Sequence, residues 1–145
     1  MLDNTQIASV IKRLKVAMRH LPDPSVTLVG KKFKDPFLVL ISCLLSLRTK
    51  DTTTLPVSEK LFEQVSTIDG FLKIPVKQLE KMIYPVGFYR TKAIRIHEIC
   101  HGLKDRFGSK VPDTIDELLT LKGVGRKTAN LVLTEGFGKL GVRVD

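Results

Sequence analysis

Apolar residues recur along most of this chain with the spacing of helix faces, and no stretch alternates as a strand would. Near the N-terminus, after the cap-like pair Asp3-Asn4, they occupy Ile7, Val10, Ile11, Leu14, Ala17 and Leu21. A second stripe, on a helix predicted to end near Gly108, comprises Ala93, Ile96, Ile99, Cys100, Leu103 and Phe107. Because this spacing follows 3.6 residues per turn, the pattern predicts an all-α fold.

Residues 37–47 are almost uniformly apolar, which a short buried strand could also show. Asp35 is placed to cap a helix, and Pro36 would occupy the first helical position, where proline is favoured. These two residues and the length of the run favour a central buried helix.

Residues that favour helix ends divide the middle of the chain. Asp51 is predicted to be the N-cap of the next helix, which Pro56 should kink or restart. A shorter helix is predicted after Thr67, and another over residues 76–84.

Composition narrows the class of protein. The 145 residues are enough for one domain with a real core, and 24 Lys and Arg against 15 Asp and Glu give a net charge of +9. This charge suits a polyanionic partner, although many soluble proteins are basic. Cys43 and Cys100 lie in apolar stretches, which favours buried thiols in a reducing cell over a disulfide. Without a signal peptide or a bilayer-spanning run, we expect an intracellular protein with no membrane partner.

The most informative segment is residues 121–130, LKGVGRKTAN. Thr114 and Glu117 form a capping box, which predicts a helix before this segment. A second helix is predicted from about residue 125 to 137. A glycine turn that leads into a helix presents backbone N–H groups to an anion, and a phosphate is the obvious candidate. The predicted donors are Gly123, Gly125 and Lys127.

A lysine and an aspartate near this turn could act together. An amine can form a Schiff base with a sugar aldehyde, and Lys127 is predicted in the first turn of the second helix. Asp145 follows eighteen residues later. The helix would climb on the order of 18 Å, and the segment after it can span up to about 26 Å, so the chain can return Asp145 to Lys127.

This block resembles the helix-hairpin-helix DNA glycosylases, and within them the endonuclease III family of base-excision repair enzymes. The resemblance runs from about Asp3 to Asp145. It includes Asp35-Pro36-Phe37, Leu44-Leu45-Ser46, Thr49-Lys50-Asp51, Val86-Gly87-Phe88-Tyr89 and Lys92-Ala93. It implies a six-helix, barrel-like domain over residues 25–145 with the hairpin at about 114–137. Residues 1–24 would be the N-terminal helix of an incomplete second domain.

The resemblance implies a bifunctional DNA glycosylase and abasic-site lyase that acts on damaged pyrimidines in double-stranded DNA. Lys127 matches the catalytic lysine, which attacks C1′ of the damaged nucleotide and displaces the base. Asp145 matches the catalytic aspartate, which accepts or relays the lysine's proton. The alternatives are a phosphate-binding lysine at Lys127 and a helix N-cap at Asp145.

The resemblance also assigns residues to DNA binding. Arg48 and Phe88 match positions that wedge into the duplex when the target base is extruded. Otherwise Arg48 is a solvated cation and Phe88 a core aromatic. The hairpin would contact DNA through Lys122, Gly123, Val124, Gly125, Arg126 and Thr128. Lys122 stands where family members often have proline, which leaves the turn less rigid but adds a cation.

Many family members carry a [4Fe-4S] cluster on four cysteines after the catalytic aspartate. This chain stops at that aspartate and has two cysteines, so the resemblance implies no cofactor or metal within it. A cluster would belong to a missing C-terminal segment, and we expect this truncated chain to be weakly active or inactive. The first helix normally packs against that segment. Its stripe of Ile7, Ile11 and Leu14 is therefore expected to be exposed, or paired with a second copy in a dimer or by domain exchange.

Three other functions compete with this interpretation. One is a non-catalytic helix-hairpin-helix DNA-binding module, and another is a glycosylase for a different damaged base, such as an alkylpurine. The third arises because His97, Glu98 and His101 match the H-E-x-x-H pattern of zinc proteases. The two histidines would share a helix face, but no third ligand is obvious and the helix already fits the glycosylase pattern.

Overall fold

The computed structural model describes residues 3–17 and 24–139, and every regular element within these ranges is a helix. The helices are α1 (Asn4–Ala17), α2 (Ser25–Phe33), α3 (Pro36–Ser46), α4 (Asp51–Gln64), α5 (Ile68–Lys73), α6 (Val76–Ile83), α7 (Tyr89–Arg106), α8 (Ile115–Leu119) and α9 (Arg126–Leu131). A π-helical turn at Val132–Gly136 follows α9 directly. The all-α prediction is confirmed.

Helix α3 is the centre of the core, as the sequence predicts. Residues 37–45 are all buried, and α3 packs against α2, α4, α7, α9 and the π-helical turn. The carboxylate of Asp35 caps the helix by accepting a hydrogen bond from the Phe37 N–H at 2.9 Å, and Pro36 is its first residue. Burial of this continuous apolar run is the main stabilising contribution to the domain.

The predicted role of Asp51 as an N-cap is wrong. Asp51 is the first residue of α4, and Lys50 precedes it as the cap. Its carboxylate instead accepts hydrogen bonds from Ser25, at 2.8 Å from the hydroxyl and 3.4 Å from the backbone N–H. Asp51 therefore satisfies a free N–H at the start of α2, so it caps a helix distant in sequence rather than its own.

The predicted restart of the helix at Pro56 is also wrong, because α4 runs from Asp51 to Gln64 through this residue. A kink at Pro56 stays a prediction. A proline inside a helix leaves the carbonyl four residues earlier without its usual donor. Here both Pro56 and Thr52 are exposed, so the Thr52 carbonyl can be hydrated.

Two other helix starts follow the prediction. Thr67 caps α5 by accepting a hydrogen bond from the Gly70 N–H at 3.0 Å. Thr114 and Glu117 form the expected capping pair at α8, in which the Thr114 hydroxyl donates to Glu117 Oε1 at 2.8 Å and accepts from the Glu117 N–H at 3.4 Å.

The second hairpin helix covers the predicted residues, but it begins as an α-helix and ends in a π-helical turn. After Leu131 the backbone widens, and the Phe137 N–H donates to the Val132 carbonyl, five residues back. The Thr134 hydroxyl donates to the carbonyls of Asn130 (3.0 Å) and Leu131 (3.3 Å). A hydroxyl that competes for helix carbonyls favours such a local departure from α-helical bonding.

Helix α1 has no buried residue among those described. Its apolar face is about half exposed at Ile7, Val10, Ile11 and Leu14. Leu21, the last position of the predicted stripe, lies outside the described residues. Within the two ranges given above, no helix is long and apolar enough to span a membrane.

Candidate active site and nucleic-acid interface

The hairpin consists of α8, a glycine turn and α9. Gly123 has φ = +87°, a conformation that side chains disfavour. A Cβ atom at this position would also lie 2.7 Å from Cδ of Arg95 on α7. Both the turn and its close approach to α7 therefore require glycine at position 123.

An acidic side chain holds the hairpin against α7. Glu98 pairs with Arg95 on its own helix at 2.9 Å and with Lys122 of the turn at 3.7 Å. Because the Lys122 side chain is 72% exposed, its amine can still reach a ligand beside the turn. The role of Lys122 as a cation beside a bound phosphate stays a prediction.

Lys127 is the second residue of α9, and its side chain is exposed. Within the described part of the chain it makes no hydrogen bond or ion pair. Its charge reaches the buried thiol of Cys43 in α3. Burial and the charge of Glu135 raise the pKa of Cys43 to about 12, and Lys127 acts in the opposite direction. The amine is therefore accessible at the hairpin.

Asp145, the predicted partner of Lys127, lies outside the described residues. The pairing of these two side chains stays a prediction.

The remaining hairpin residues divide into two groups. Gly125 and Arg126 are exposed, whereas the side chains of Val124 and Thr128 are each only 8% exposed. Val124 and Thr128 therefore stabilise the hairpin from inside, and only their backbone could contact a ligand. Among the described residues, the N–H groups of Gly123, Gly125 and Lys127 have no intramolecular acceptor, as expected at a helix start.

Arg48 and Phe88 come from separate loops and contact each other at the surface. The Arg48 guanidinium lies 5.6 Å from the centre of the Phe88 ring, within the range of a cation–π interaction. Both residues have left-handed backbones, with φ of 55° and 56°. Phe88 is 61% exposed, so the interpretation as a core aromatic is wrong. We call this pair the wedge.

The two loops that carry the wedge are joined by a hydrogen bond from a backbone N–H to a side-chain hydroxyl. The Gly87 N–H donates to Thr49 Oγ1 at 2.9 Å. A Cβ atom at Gly87 would lie 3.0 Å from the Arg48 carbonyl oxygen, so glycine permits this close approach.

Lys92 is a polar residue whose role the sequence interpretation missed. Its side chain is buried beneath the wedge (5% exposed), and Nζ donates to the carbonyls of Leu45 (3.0 Å) and Leu47 and to Thr49 Oγ1 (3.3 Å). Burial lowers the pKa of Lys92 from 10.5 to about 8. The signal was available, because Lys92 lies four residues before Ile96 on the buried face of α7.

An open pocket of about 380 Å³ connects the wedge to the hairpin. Its polar lining is cationic, and its residues are Leu44, Leu47, Arg48, Phe88, Thr91, Lys92, Arg95 and Gly123. A larger surface cavity of about 510 Å³ lies elsewhere, beside Asp35, Thr67 and Lys110, and none of the predicted site residues lines it. The smaller pocket therefore lies beside the predicted site residues and has cationic side chains that suit an anionic ligand.

The two histidines of the protease-like motif lie close together, with ring centroids 6.4 Å apart. Within residues 3–17 and 24–139, no group of three or more His, Cys, Asp or Glu side chains is placed to hold a metal ion. The zinc-protease alternative therefore gains no third ligand from this part of the chain.

The two cysteines do not fit an iron–sulfur cluster. Cys43 and Cys100 are buried and unpaired, and burial raises the pKa of each thiol to about 12. A cluster is bound by thiolates, which this environment disfavours, and four of them are usual.

Comparison with known proteins identifies the family. Residues 41–142 match the family described as HhH-GPD superfamily base excision DNA repair protein. The chain belongs to this superfamily. It is 49% identical over 114 residues to Endonuclease III of Thermotoga maritima, which covers 79% of this chain and 54% of that protein. It is 31% identical over 144 residues to Endonuclease III of Haemophilus influenzae, which covers 99% of this chain and 65% of that protein.

Solved structures agree with this HhH-GPD assignment. A non-covalent Endonuclease III–DNA complex superposes on 95% of this chain with a TM-score of 0.79 and 33% identity, and the match covers 62% of that chain. A trapped Endonuclease III–DNA covalent intermediate, an estranged-adenine complex, superposes with a TM-score of 0.77 and 32% identity. The resemblance to the endonuclease III family is confirmed. The chain spans between half and two thirds of the length of these relatives.

Proposed function

We propose that this HhH-GPD chain acts in base-excision repair as a bifunctional DNA glycosylase and abasic-site lyase on damaged pyrimidines. The observation that carries the proposal is the exposed amine of Lys127, which lies in the first turn of α9 directly after the glycine turn and has no partner among the described residues. The open cationic pocket between hairpin and wedge supports it, because a duplex bound there would bring its sugar–phosphate backbone to the hairpin.

The proposed reaction has two steps. The neutral Nζ of Lys127 attacks C1′ of the damaged nucleotide, the C1′–N glycosidic bond breaks, and the base leaves with its bonding electrons and takes up a proton. Nζ then loses a proton, the C1′–O4′ bond of the sugar ring breaks and O4′ takes up a proton, which leaves a Schiff base between Nζ and C1′ that makes the C2′ protons acidic. Removal of one of them expels the 3′ phosphate, which cuts the strand 3′ to the lesion. Asp145 would accept or relay the lysine's proton and stabilise positive charge on the sugar.

The other site residues would bind and deform the DNA. The free N–H groups of the hairpin would hold a phosphate, with Lys122 and Arg126 as nearby cations. Arg48 and Phe88 would fill the space vacated by the extruded nucleotide, and Arg48 could hydrogen-bond the orphaned base.

Borohydride trapping on a duplex with one abasic site tests the reaction. Borohydride reduces a Schiff base to a stable bond, so this chain, expected to be weakly active, should become attached to DNA slowly and in low yield, and Lys127→Ala should abolish that product. The affinity of Lys127→Ala for the duplex should stay within about threefold of the parent's affinity, because a single charge near a phosphate contributes only modestly to binding. Lys110→Ala, which removes a charge at an exposed residue, should trap like the parent.

The other outcomes separate the alternatives. Binding without any covalent product in the parent would contradict catalysis by this chain, in line with the expectation that the truncated chain is inactive, and would favour a DNA-binding module. Trapping that persists in Lys127→Ala would show that a different amine is the nucleophile. A panel of duplexes with oxidised pyrimidines or alkylated purines would decide the lesion class.

The partners and setting follow from the same proposal. The substrate is double-stranded DNA with a damaged base or an abasic site, which places the protein inside the cell, at the nucleoid. A [4Fe-4S] cluster would need ligands from outside these 145 residues, because the chain has only two cysteines. We also propose that a second copy of the chain covers the apolar face of α1.

A further inference from the structure

We propose that Lys92 is a positioning residue that holds Arg48 and Phe88 together as one preformed wedge. This inference rests on the proposed function, since a wedge matters only if a nucleotide is extruded. Lys92 is 5% exposed and lies beneath the loop, so it acts through the wedge rather than on DNA.

The first part of the argument concerns the end of α3. The last carbonyls of a helix have no partner within the helix and need donors from elsewhere. Lys92 Nζ donates to the carbonyls of Leu45, within α3, and Leu47, just after it. It therefore fixes the chain on the residue immediately before Arg48.

The second part concerns the backbone of the wedge itself. A non-glycine residue in the left-handed region is disfavoured by about 1–2 kcal/mol, and both Arg48 and Phe88 adopt it. Such a conformation persists where surrounding contacts impose it. Lys92 bonds to both neighbours of Arg48, the Leu47 carbonyl and the Thr49 hydroxyl, and so helps to impose this conformation.

The third part links the two loops. Thr49 Oγ1 lies 3.3 Å from Lys92 Nζ and accepts the Gly87 N–H at 2.9 Å. Gly87 immediately precedes Phe88, so one hydroxyl connects the Arg48 loop to the Phe88 turn. Lys92 is thus the common donor under both halves of the wedge, and it begins the same helix, α7, that Phe88 precedes.

A wedge held in this way needs little further ordering when it enters DNA, and preorganisation improves binding by reducing that entropic loss. This gain in affinity should appear only at an abasic site, where a space is open in the duplex. Lys92 should therefore control the preference for an abasic site over intact DNA, and leave the affinity for intact DNA unchanged.

The test compares the parent chain with Lys92→Met and Lys110→Met. Both variants lose one positive charge and keep an unbranched side chain, but Lys110 is exposed and lies beyond the other end of α7. Affinity is measured for a duplex with a stable abasic analogue and for the same duplex undamaged. Lys92→Met should reduce the ratio of the two affinities about tenfold, the effect expected when hydrogen bonds to a charged group are lost. Lys110→Met should leave the ratio unchanged.

Two further readouts isolate positioning from general stability. At saturating protein, 2-aminopurine opposite the abasic analogue should fluoresce less with Lys92→Met than with the parent, because a loose wedge displaces that base less completely. In the free protein, amide exchange of Gly87 should accelerate at least tenfold in Lys92→Met, since its acceptor Thr49 is no longer held. An unchanged affinity ratio together with unchanged Gly87 exchange would overturn the proposal.

The design separates this inference from the proposed function. A parent chain with no preference for the abasic duplex would contradict the proposed function, and the Gly87 exchange rate would still decide whether Lys92 holds the loops together. If Lys92→Met does not fold, Thr49→Val replaces it. That variant keeps both carbonyl bonds of Lys92 but removes the link to Gly87, and it should show the same loss of abasic preference. An unchanged preference in Thr49→Val would count against the linked wedge.

Discussion

Lys92 and Lys127 carry the same functional group in opposite surroundings. Lys127 is exposed at the start of α9 and has no partner among the described residues, which leaves its amine available to a ligand. Lys92 is buried and bonded to three oxygen atoms. The first arrangement suits a nucleophile and the second suits a fixed donor beneath a loop. Residue type alone does not separate these roles; burial and partners do.

The lowered pKa of Lys92 predicts a pH-dependent stability. Folding lowers this pKa from 10.5 to about 8, so the unfolded chain binds more protons between these values and stability rises with pH there. Between pH 8 and 9 the free energy of unfolding of the parent should rise by about 1 kcal/mol relative to Lys92→Met. Urea denaturation of both proteins at the two pH values measures the difference.

The two cysteines make stability fall as the pH rises, but they do not affect the difference between the two proteins. Burial raises the pKa of Cys43 and Cys100 from 9.0 to about 12, so their stabilising contribution is lost as pH rises above about 9. Both proteins contain both thiols, so their effect cancels in the difference. A difference that stays constant from pH 8 to 9 would show that the pKa of Lys92 is not lowered.

At the scale of elements, the hairpin depends on one glycine more than on the other. Gly123 combines φ = +87° with a Cβ position in contact with Arg95, whereas Gly125 has φ = −94° and no neighbouring atom within 4 Å of a Cβ. Gly123→Ala should destabilise the protein by about 1–3 kcal/mol, through backbone strain and displacement of Arg95. Gly125→Ala should change stability by less than about 0.5 kcal/mol.

Thermal or urea unfolding of the two alanine variants checks this prediction. Equal losses of stability would show that the turn relaxes at Gly123 without strain. DNA binding is a separate measurement, because both glycines are predicted to lie against a phosphate.

At the scale of the whole molecule, α1 presents an apolar face that the described residues leave uncovered. The four large apolar side chains of this face, Ile7, Val10, Ile11 and Leu14, are each between 42% and 53% exposed. An apolar helix face of this kind is typical of a surface that binds another element. A second copy of the chain could bury it by presenting the same face across a two-fold axis.

The oligomeric state tests that proposal. Light scattering coupled to size-exclusion chromatography should give a dimer for the parent at tens of micromolar, and Ile11→Glu should give a monomer, because a carboxylate would be buried at the interface. Ser9→Glu adds the same charge on the opposite face of α1 and should remain dimeric. A monomeric parent at that concentration would exclude the dimer.

The amino-acid sequence by itself determined the all-α class, most helix boundaries and the glycine hairpin. These depend on local rules, namely the apolar spacing of helices, the caps at Asp35, Thr67 and Thr114, and the conformational freedom of glycine. The resemblance to one family then supplied Lys127, Arg48 and Phe88 as candidates. It could not say how they are held, and their roles in DNA remain to be tested.

Only the tertiary structure decided which side chains meet. Asp51 binds Ser25 rather than its own helix, Lys92 reaches carbonyls more than forty residues away, and Arg48 lies over Phe88. These contacts arise because helices distant in sequence pack around α3, and such packing is set by the shape of the whole core rather than by any local pattern. Local patterns determine where the helices form, whereas packing of the core brings Arg48 against Phe88 and leaves the amine of Lys127 exposed.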